Sequence, residues 1–194
     1  MAKISTFSDD FPGTALSGSW QTYGSPPTPT VGSGLLTLSS RSDTTEAGIE
    51  TVSSYDFTES QIDVKFVLGS TQENMLFGPR YSSGSSVPVI LFGGSYLAFG
   101  SWSGSYTNLV GVYPAHAYAR IVFEPGSTSN VKYYSSSDGV SYTLQYTNDL
   151  TNYGTLTSRA LGLWSKTASL SWQIDSVGTP SASSVAFRPY YITG

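Results

Sequence analysis

The side chains best suited to holding a ligand sit on strand-like segments with two distinct faces. In residues 117–123, Ala119, Ile121 and Phe123 alternate with Tyr118, Arg120 and Val122, so Tyr118 and Arg120 point away from any core that takes the other three. On the neighbouring segment, Val131 and Tyr133 point inward and Lys132 and Tyr134 outward. In residues 75–81 the inward set is Met75, Phe77, Pro79 and Tyr81, which turns Arg80 outward. A face carrying Arg80, Tyr118, Arg120, Lys132 and Tyr134 offers stacking rings and fork-shaped donors, the chemistry that holds a sugar. The same residues also fit plain cross-strand pairs of rings and cations. A second candidate is the Gly/Ser loop that carries Trp102 and Tyr106, with Tyr113 beyond it, since loops at the ends of a sandwich commonly bind. The competing reading folds Trp102 back over the edge of the core. Nucleophilic catalysis finds no support: His116 is the single histidine, and no Gly-x-Ser-x-Gly elbow is present.

These residues need strands to position them, and the sequence supplies little else. Glu124-Pro125-Gly126-Ser127 and Ser137-Asp138-Gly139 are turn signals, so residues 117–147 read as a three-stranded meander. Segments 34–38, 48–52, 62–67, 75–81, 89–92, 96–101, 109–112, 160–164 and 169–177 read as further strands. Trp20–Tyr23 reads as a short strand, and Pro26, Pro27 and Pro29 then exclude a central strand and make Ser25–Pro29 an extended loop. About fourteen short strands with no helix predict an all-β, two-sheet antiparallel β-sandwich of the jelly-roll type. Residues 1–178 form that domain. Residues 179–194 follow as a small, polar linker and an aromatic stretch that is either a last strand or an arm, with Phe187, Arg188, Tyr190 and Tyr191 as assembly contacts.

Composition narrows the partners. The chain has 194 residues, 20 Gly, 14 Tyr, 11 % charged residues and a net charge of −4, which argues against nucleic acid. Cysteine is absent, so neither disulfides nor thiolate metal sites are available. No Asn-x-Ser/Thr sequon occurs. The opening MAKISTFSDDF lacks the apolar core of a secretory signal, and no run has the length of a membrane span. A Tyr/Ser/Gly/Thr-rich, adhesive surface without an export signal fits a virion protein, made in the host cytoplasm and displayed on the virion surface.

Several segments, in their order along the chain, resemble a known superfamily. Phe7-Ser8-Asp9-Asp10-Phe11 followed by Trp20, Gly34-Leu35-Leu36-Thr37-Leu38, Tyr118-Ala119-Arg120-Ile121, the hairpin from Tyr134 to Tyr142 and Ile174-Asp175 are similar to the concanavalin A-like lectin/glucanase superfamily. The resemblance is closest to laminin-G-like modules of bacterial surface proteins and phage minor tail proteins, and covers residues 5 to 178. It implies two curved sheets with a concave face on which many members bind sugars, and in some members a calcium ion on the far side. Asp175, with backbone carbonyls near Asp10 and Gly48, is the candidate calcium site by that resemblance; otherwise no cofactor is expected. The glucanases of the superfamily carry Glu-x-Asp-x-x-Glu on one strand, and this pattern is absent: Glu59 and Asp63 have the wrong spacing, and 173–178 lacks both glutamates.

The resulting expectation is not an enzyme but a non-catalytic bacteriophage virion protein, a tail or capsid-surface component. Its partners are copies of itself, other virion proteins and host-surface glycan. The alternatives are a carbohydrate-binding module or lectin of a bacterial secreted protein, and a glycoside hydrolase or lyase using other carboxylates.

Overall fold

The computed structural model describes residues 1–24, 28–38, 46–67, 75–81, 85–93, 96–112, 116–124, 130–149, 153–165 and 172–178, with the backbone alone for 106–112. A single 3-10 turn, Ile4–Thr6, precedes fifteen strands among these residues. In chain order they are β1 (Ser8–Asp9), β2 (Trp20–Tyr23), β3 (Thr30–Gly32), β4 (Leu35–Leu38), β5 (Ala47–Thr51), β6 (Ser60–Phe66), β7 (Met75–Pro79) and β8 (Val87–Phe92). There follow β9 (Leu97–Trp102), β10 (Tyr106–Val112), β11 (Tyr118–Phe123), β12 (Asn130–Ser136), β13 (Thr143–Asp149), β14 (Leu161–Ser165) and β15 (Trp172–Gly178).

They pair into two antiparallel sheets. The first runs β13-β12-β11-β6-β15-β4-β3, with β1 added on β15; the second runs β10-β9-β8-β7-β14-β5-β2. The all-β sandwich expected from the strand count is the fold observed. The meander of β11, β12 and β13 forms with the register that the alternation requires, Ile121 opposite Tyr133 and Arg120 opposite Tyr134. The turn around Pro125 lies outside the described residues.

The core lies between the sheets. Ala119, Ile121, Phe123, Val131 and Tyr133 of the first sheet pack against Ile49, Phe77, Ile90, Phe99 and Leu163 of the second. The first sheet alternates buried and half-buried residues along β11 and β12. The second behaves differently, because β7, β8, β9 and β14 are buried at every position. Its outer face holds a second apolar cluster of Leu76, Val87, Val89, Leu91, Ala98, Trp102 and Trp164. Strands covered on both faces lose the apolar/polar alternation of a half-exposed sheet.

A fully buried polar bond helps tie the two sheets together. Tyr133, fully buried on β12, donates its hydroxyl to the Gly100 carbonyl on β9 at 2.6 Å. Burial is the main reason that this phenol is pushed well above its usual range, so it remains a donor. Tyr133→Phe removes the donor and with it this bond between the sheets, for an expected loss of about 1–2 kcal/mol. In a domain of this size that lowers Tm by roughly 3–6 °C, measured by thermal melting against wild type.

Candidate functional site

The outer face of the second sheet gathers most of the ligand-type chemistry. Alternation from Ile49 turns Glu50 and Gly48 outward on β5, and Glu46 precedes the strand in the same phase. Tyr23 of β2 pairs with Gly48, and Trp164 of β14 flanks the same glycine on the other side. Arg80 follows β7 and lies across Gly162 of β14, where a methyl group would overlap its Cδ.

Arg80 is the hub of this face, 8 % exposed. Its Nε donates to Glu50 Oε2 at 3.2 Å, and Nη2 lies 3.8 Å from Glu46 Oε2. The guanidinium sits 3.7 Å from the Tyr23 ring centroid, 4.6 Å from that of Trp164 and 5.6 Å from that of Tyr81. Rings on both sides suit a planar, weakly hydrated cation. Glu46 accepts two further bonds, from Tyr23 Oη at 2.6 Å and from Trp102 Nε1 at 2.9 Å. Glu50 also accepts from Gln21 Nε2 at 3.0 Å. Burial, and then the bond to Glu46, pushes the Tyr23 phenol well above its ordinary value. Two donors on this face, Arg80 Nη1 and Trp164 Nε1, are buried without a partner among the described residues. Around them Tyr23, Tyr81 and Tyr96 are half-buried.

The face expected to join Arg80 to Tyr118, Arg120, Lys132 and Tyr134 does not exist as one surface. Arg80 belongs to the second sheet and the other four to the first, so the core separates them. Two-residue alternation gives the phase within a strand but not which sheet the strand joins. Tyr81 is also corrected: it packs half-buried on the outer cluster, not in the core between the sheets. Trp102 is not a loop residue but the last residue of β9, 1 % exposed on the outer face. Tyr106 begins β10, and its side chain lies outside the described residues, as do Tyr113 and the proposed contacts Phe187, Arg188, Tyr190 and Tyr191.

On the outer face of the first sheet the candidate cations are already paired. Arg120 makes a bidentate pair with the buried Asp63 at 2.7 and 2.8 Å and lies 3.9 Å from the Tyr142 ring centroid. Lys132 pairs with Glu124 at 2.5 Å. Lys65 pairs with Asp175 at 2.9 Å and stands over Tyr118. Asp175 thus faces an ammonium, while Gly48, the expected carbonyl donor, belongs to the other sheet. No group of three or more His, Cys, Asp or Glu able to hold a metal ion occurs among the described residues. His116 Nδ1 lies 2.9 Å from Ser135 Oγ, near no carboxylate pair that the structure records.

The carboxylates Glu46 and Glu50 escaped sequence reasoning, which weighed only Glu59, Asp63 and Asp175 among the acids. The signal was present in Glu46-Ala47-Gly48-Ile49-Glu50, whose period of two puts both acids opposite Ile49. Tyr23 and Trp164 were missed because only pairing through β5 brings them beside the same residues.

Comparison with solved structures agrees with this architecture. The chain is similar to a prokaryotic β-1,3-1,4-glucanase (lichenase) from a mouse hindgut metagenome, with TM-score 0.58 and 12 % identity over 88 % of this chain and 96 % of that one. It is similar to an uncharacterized protein from Mycobacterium paratuberculosis, with TM-score 0.61 and 10 % identity over 89 % and 98 %. A Bacillus licheniformis β-glucanase gives TM-score 0.56 and 15 % identity over 88 % and 95 %. No protein-family model and no curated protein matches the sequence. At these identities the similarity establishes the fold alone: an all-β, two-sheet jelly roll.

Two outcomes test the geometry. Gly162→Ala is expected to push Arg80 off Glu50 and cost about 1–3 kcal/mol, measured by urea unfolding. The β12–β13 hairpin gives a pH signature. Asp138 is held at about 2, below its ordinary 3.8, chiefly by the backbone N–H groups of Ser141 and Val140, then by the Ser136 hydroxyl. A carboxylate with a depressed folded-state value stabilises fully above its unfolded value, and that contribution is lost as pH falls through the folded one. Asp56, held at about 2 chiefly by its bond to Lys3, acts in the same direction. Wild-type Tm therefore falls between pH 4 and 2, and the gap between wild type and Asp138→Ala closes over the same window.

Proposed function

We propose that this chain is a non-catalytic, lectin-like jelly roll that binds glycan on the outer face of its second sheet. The observation that carries the reading is the combination on one face of half-buried tyrosine rings with a guanidinium and two carboxylates held in fixed positions. Rings stack on the apolar faces of sugars, and fixed polar groups read their hydroxyls. The glucanases that share the fold work on glycans, at identities that carry the fold alone, so the reading rests on the chemistry of the face.

Binding fits the geometry better than hydrolysis. Glycoside hydrolysis needs one carboxyl to give a proton to the leaving oxygen and another to attack or to activate water. Glu46 accepts from Tyr23 and Trp102 with Arg80 beside it, and Glu50 accepts from Arg80 and Gln21, so each of the four carboxylate oxygens is already held by a donor of the fold. The setting we propose is a bacteriophage particle, with the domain on the tail or capsid surface adhering to host-surface glycan. The resemblance to phage minor tail modules and the Tyr/Ser/Gly/Thr-rich composition support that setting.

A glycan array with the full chain tests this, beside Tyr81→Ala, Tyr118→Ala and a reducing-sugar assay. Wild type is expected to bind, Tyr81→Ala to weaken binding about tenfold through the lost ring, and Tyr118→Ala, on the other sheet, to bind as wild type. Binding lost in Tyr118→Ala alone would move the site to the first sheet. Release of reducing sugar that stops in Glu50→Gln would make the protein a hydrolase and overturn the non-catalytic reading.

A further inference from the structure

An open cavity of about 490 Å³ lies at the end of the first sheet where β6 begins and β11 finishes. Gln61 and Val122, half-buried and directly opposite in register, line it, and Glu59 and Glu124 line it one step past the Ser60–Phe123 pair. Two carboxylates on neighbouring strands repel unless a cation lies between them. Glu124 pairs with Lys132, whereas Glu59 is exposed and has no partner among the described residues. The cavity therefore carries one uncompensated negative charge beside an amide and an apolar side chain. Elsewhere on the two sheets buried or crowded carboxylates are met by a guanidinium: Arg80 beside Glu46 and Glu50, and Arg120 on Asp63.

The course of β15 shows which guanidinium is at hand. Ile174 lies opposite Phe66 and Val177 opposite Val64, so the chain runs along β6 toward Glu59 as it reaches Gly178. Gly178 pairs with Ser8, and Ser5, at the start of the same segment, lines the cavity. Residues 179–194 lie outside the described residues. Their sequence holds a single charged side chain, Arg188, set among Phe187, Pro189, Tyr190 and Tyr191. From Val64 back to Glu59 is roughly 17 Å of strand, and residues 179–187 span up to roughly 30 Å when extended. The tether is therefore long enough to bring Arg188 to the cavity of its own chain.

Independently of the glycan-binding reading, we infer that this cavity is the seat of Arg188 from the same chain, with its guanidinium between Glu59 and Glu124 and its stem over Val122. A planar fork with five donors suits two carboxylates that face each other across strands. The tether makes the encounter intramolecular, which favours it over the same contact between copies. Seating Arg188 also draws the adjoining aromatic residues onto the sheet and out of water. In this seat Arg188 clasps the end of its own sandwich, where β6 and β11 meet, rather than a neighbouring molecule.

The test is thermal melting of the full chain as wild type, Glu59→Gln, Arg188→Gln and the double variant, at low salt and at two protein concentrations. Each single change is expected to lower Tm by roughly 2–4 °C, and the double variant by no more than either alone, because both remove one contact. The coupling is expected to be the same at both concentrations. The Val122 methyl resonances are expected to shift in Arg188→Gln at unchanged sheet content, a readout that does not depend on stability. Without Arg188 in place, Glu59→Gln only relieves the repulsion from Glu124, so a Tm that rises in Glu59→Gln overturns the inference. Additive losses of Tm overturn it as well, as do unmoved Val122 resonances. Coupling that disappears on dilution overturns the intramolecular seat and gives Arg188 to a neighbouring copy.

Discussion

A guanidinium that is nine-tenths buried is tolerated only where charge and geometry are matched around it, and Arg80 meets that condition through residues from four strands or their ends. Glu46 precedes β5 and Glu50 lies on it, Tyr23 ends β2, Trp164 lies on β14, and Arg80 itself follows β7. Removing either carboxylate would leave a buried cation short of countercharge, and filling Gly162 would take its space. The outer face of the second sheet is therefore organised by one ion and its neighbours. The inner face of the same sheet is organised by close packing, with the Tyr133 hydroxyl bonded to the Gly100 carbonyl within it.

This difference explains why the two sheets carry different chemistry. The first sheet has one covered face, so its outer cations find carboxylate partners on the same face, in pairs such as Arg120 with the buried Asp63 and Lys65 with the half-exposed Asp175. Pairs of that kind satisfy each other and leave little for a ligand. The second sheet is covered on both faces, which excludes water from the guanidinium and makes the placement of each donor there more consequential. A jelly roll supplies such a face by geometry, and its side chains decide what the face recognises.

Much of the architecture was legible along the chain. The period of two in β11 and β12, the Asp138-Gly139 turn, whose Gly139 takes φ of 74° against the Tyr118 ring, and the absence of helical patterns all lead to antiparallel strands in two layers. Where both faces are apolar, as in Val87 to Phe92, the alternation disappears and the inside of the strand cannot be told from the outside. Arg80 was read correctly as facing away from the core and placed with the wrong neighbours, for the same reason.

The sequence by itself determined the class of fold, the strands of the meander and the inward phase of their residues, because these follow from local sterics and from alternation within one segment. Only the tertiary structure decided that Arg80 and Arg120 lie on opposite sides of the molecule and that Glu46, Glu50, Tyr23 and Trp164 converge on one of them. Those neighbours are set by strand order across a sheet, through pairings such as β14 with β5 and β5 with β2. Such contacts join residues more than a hundred positions apart, as Glu50 opposite Gly162 does, and are selected by the packing of the whole sandwich rather than by either segment.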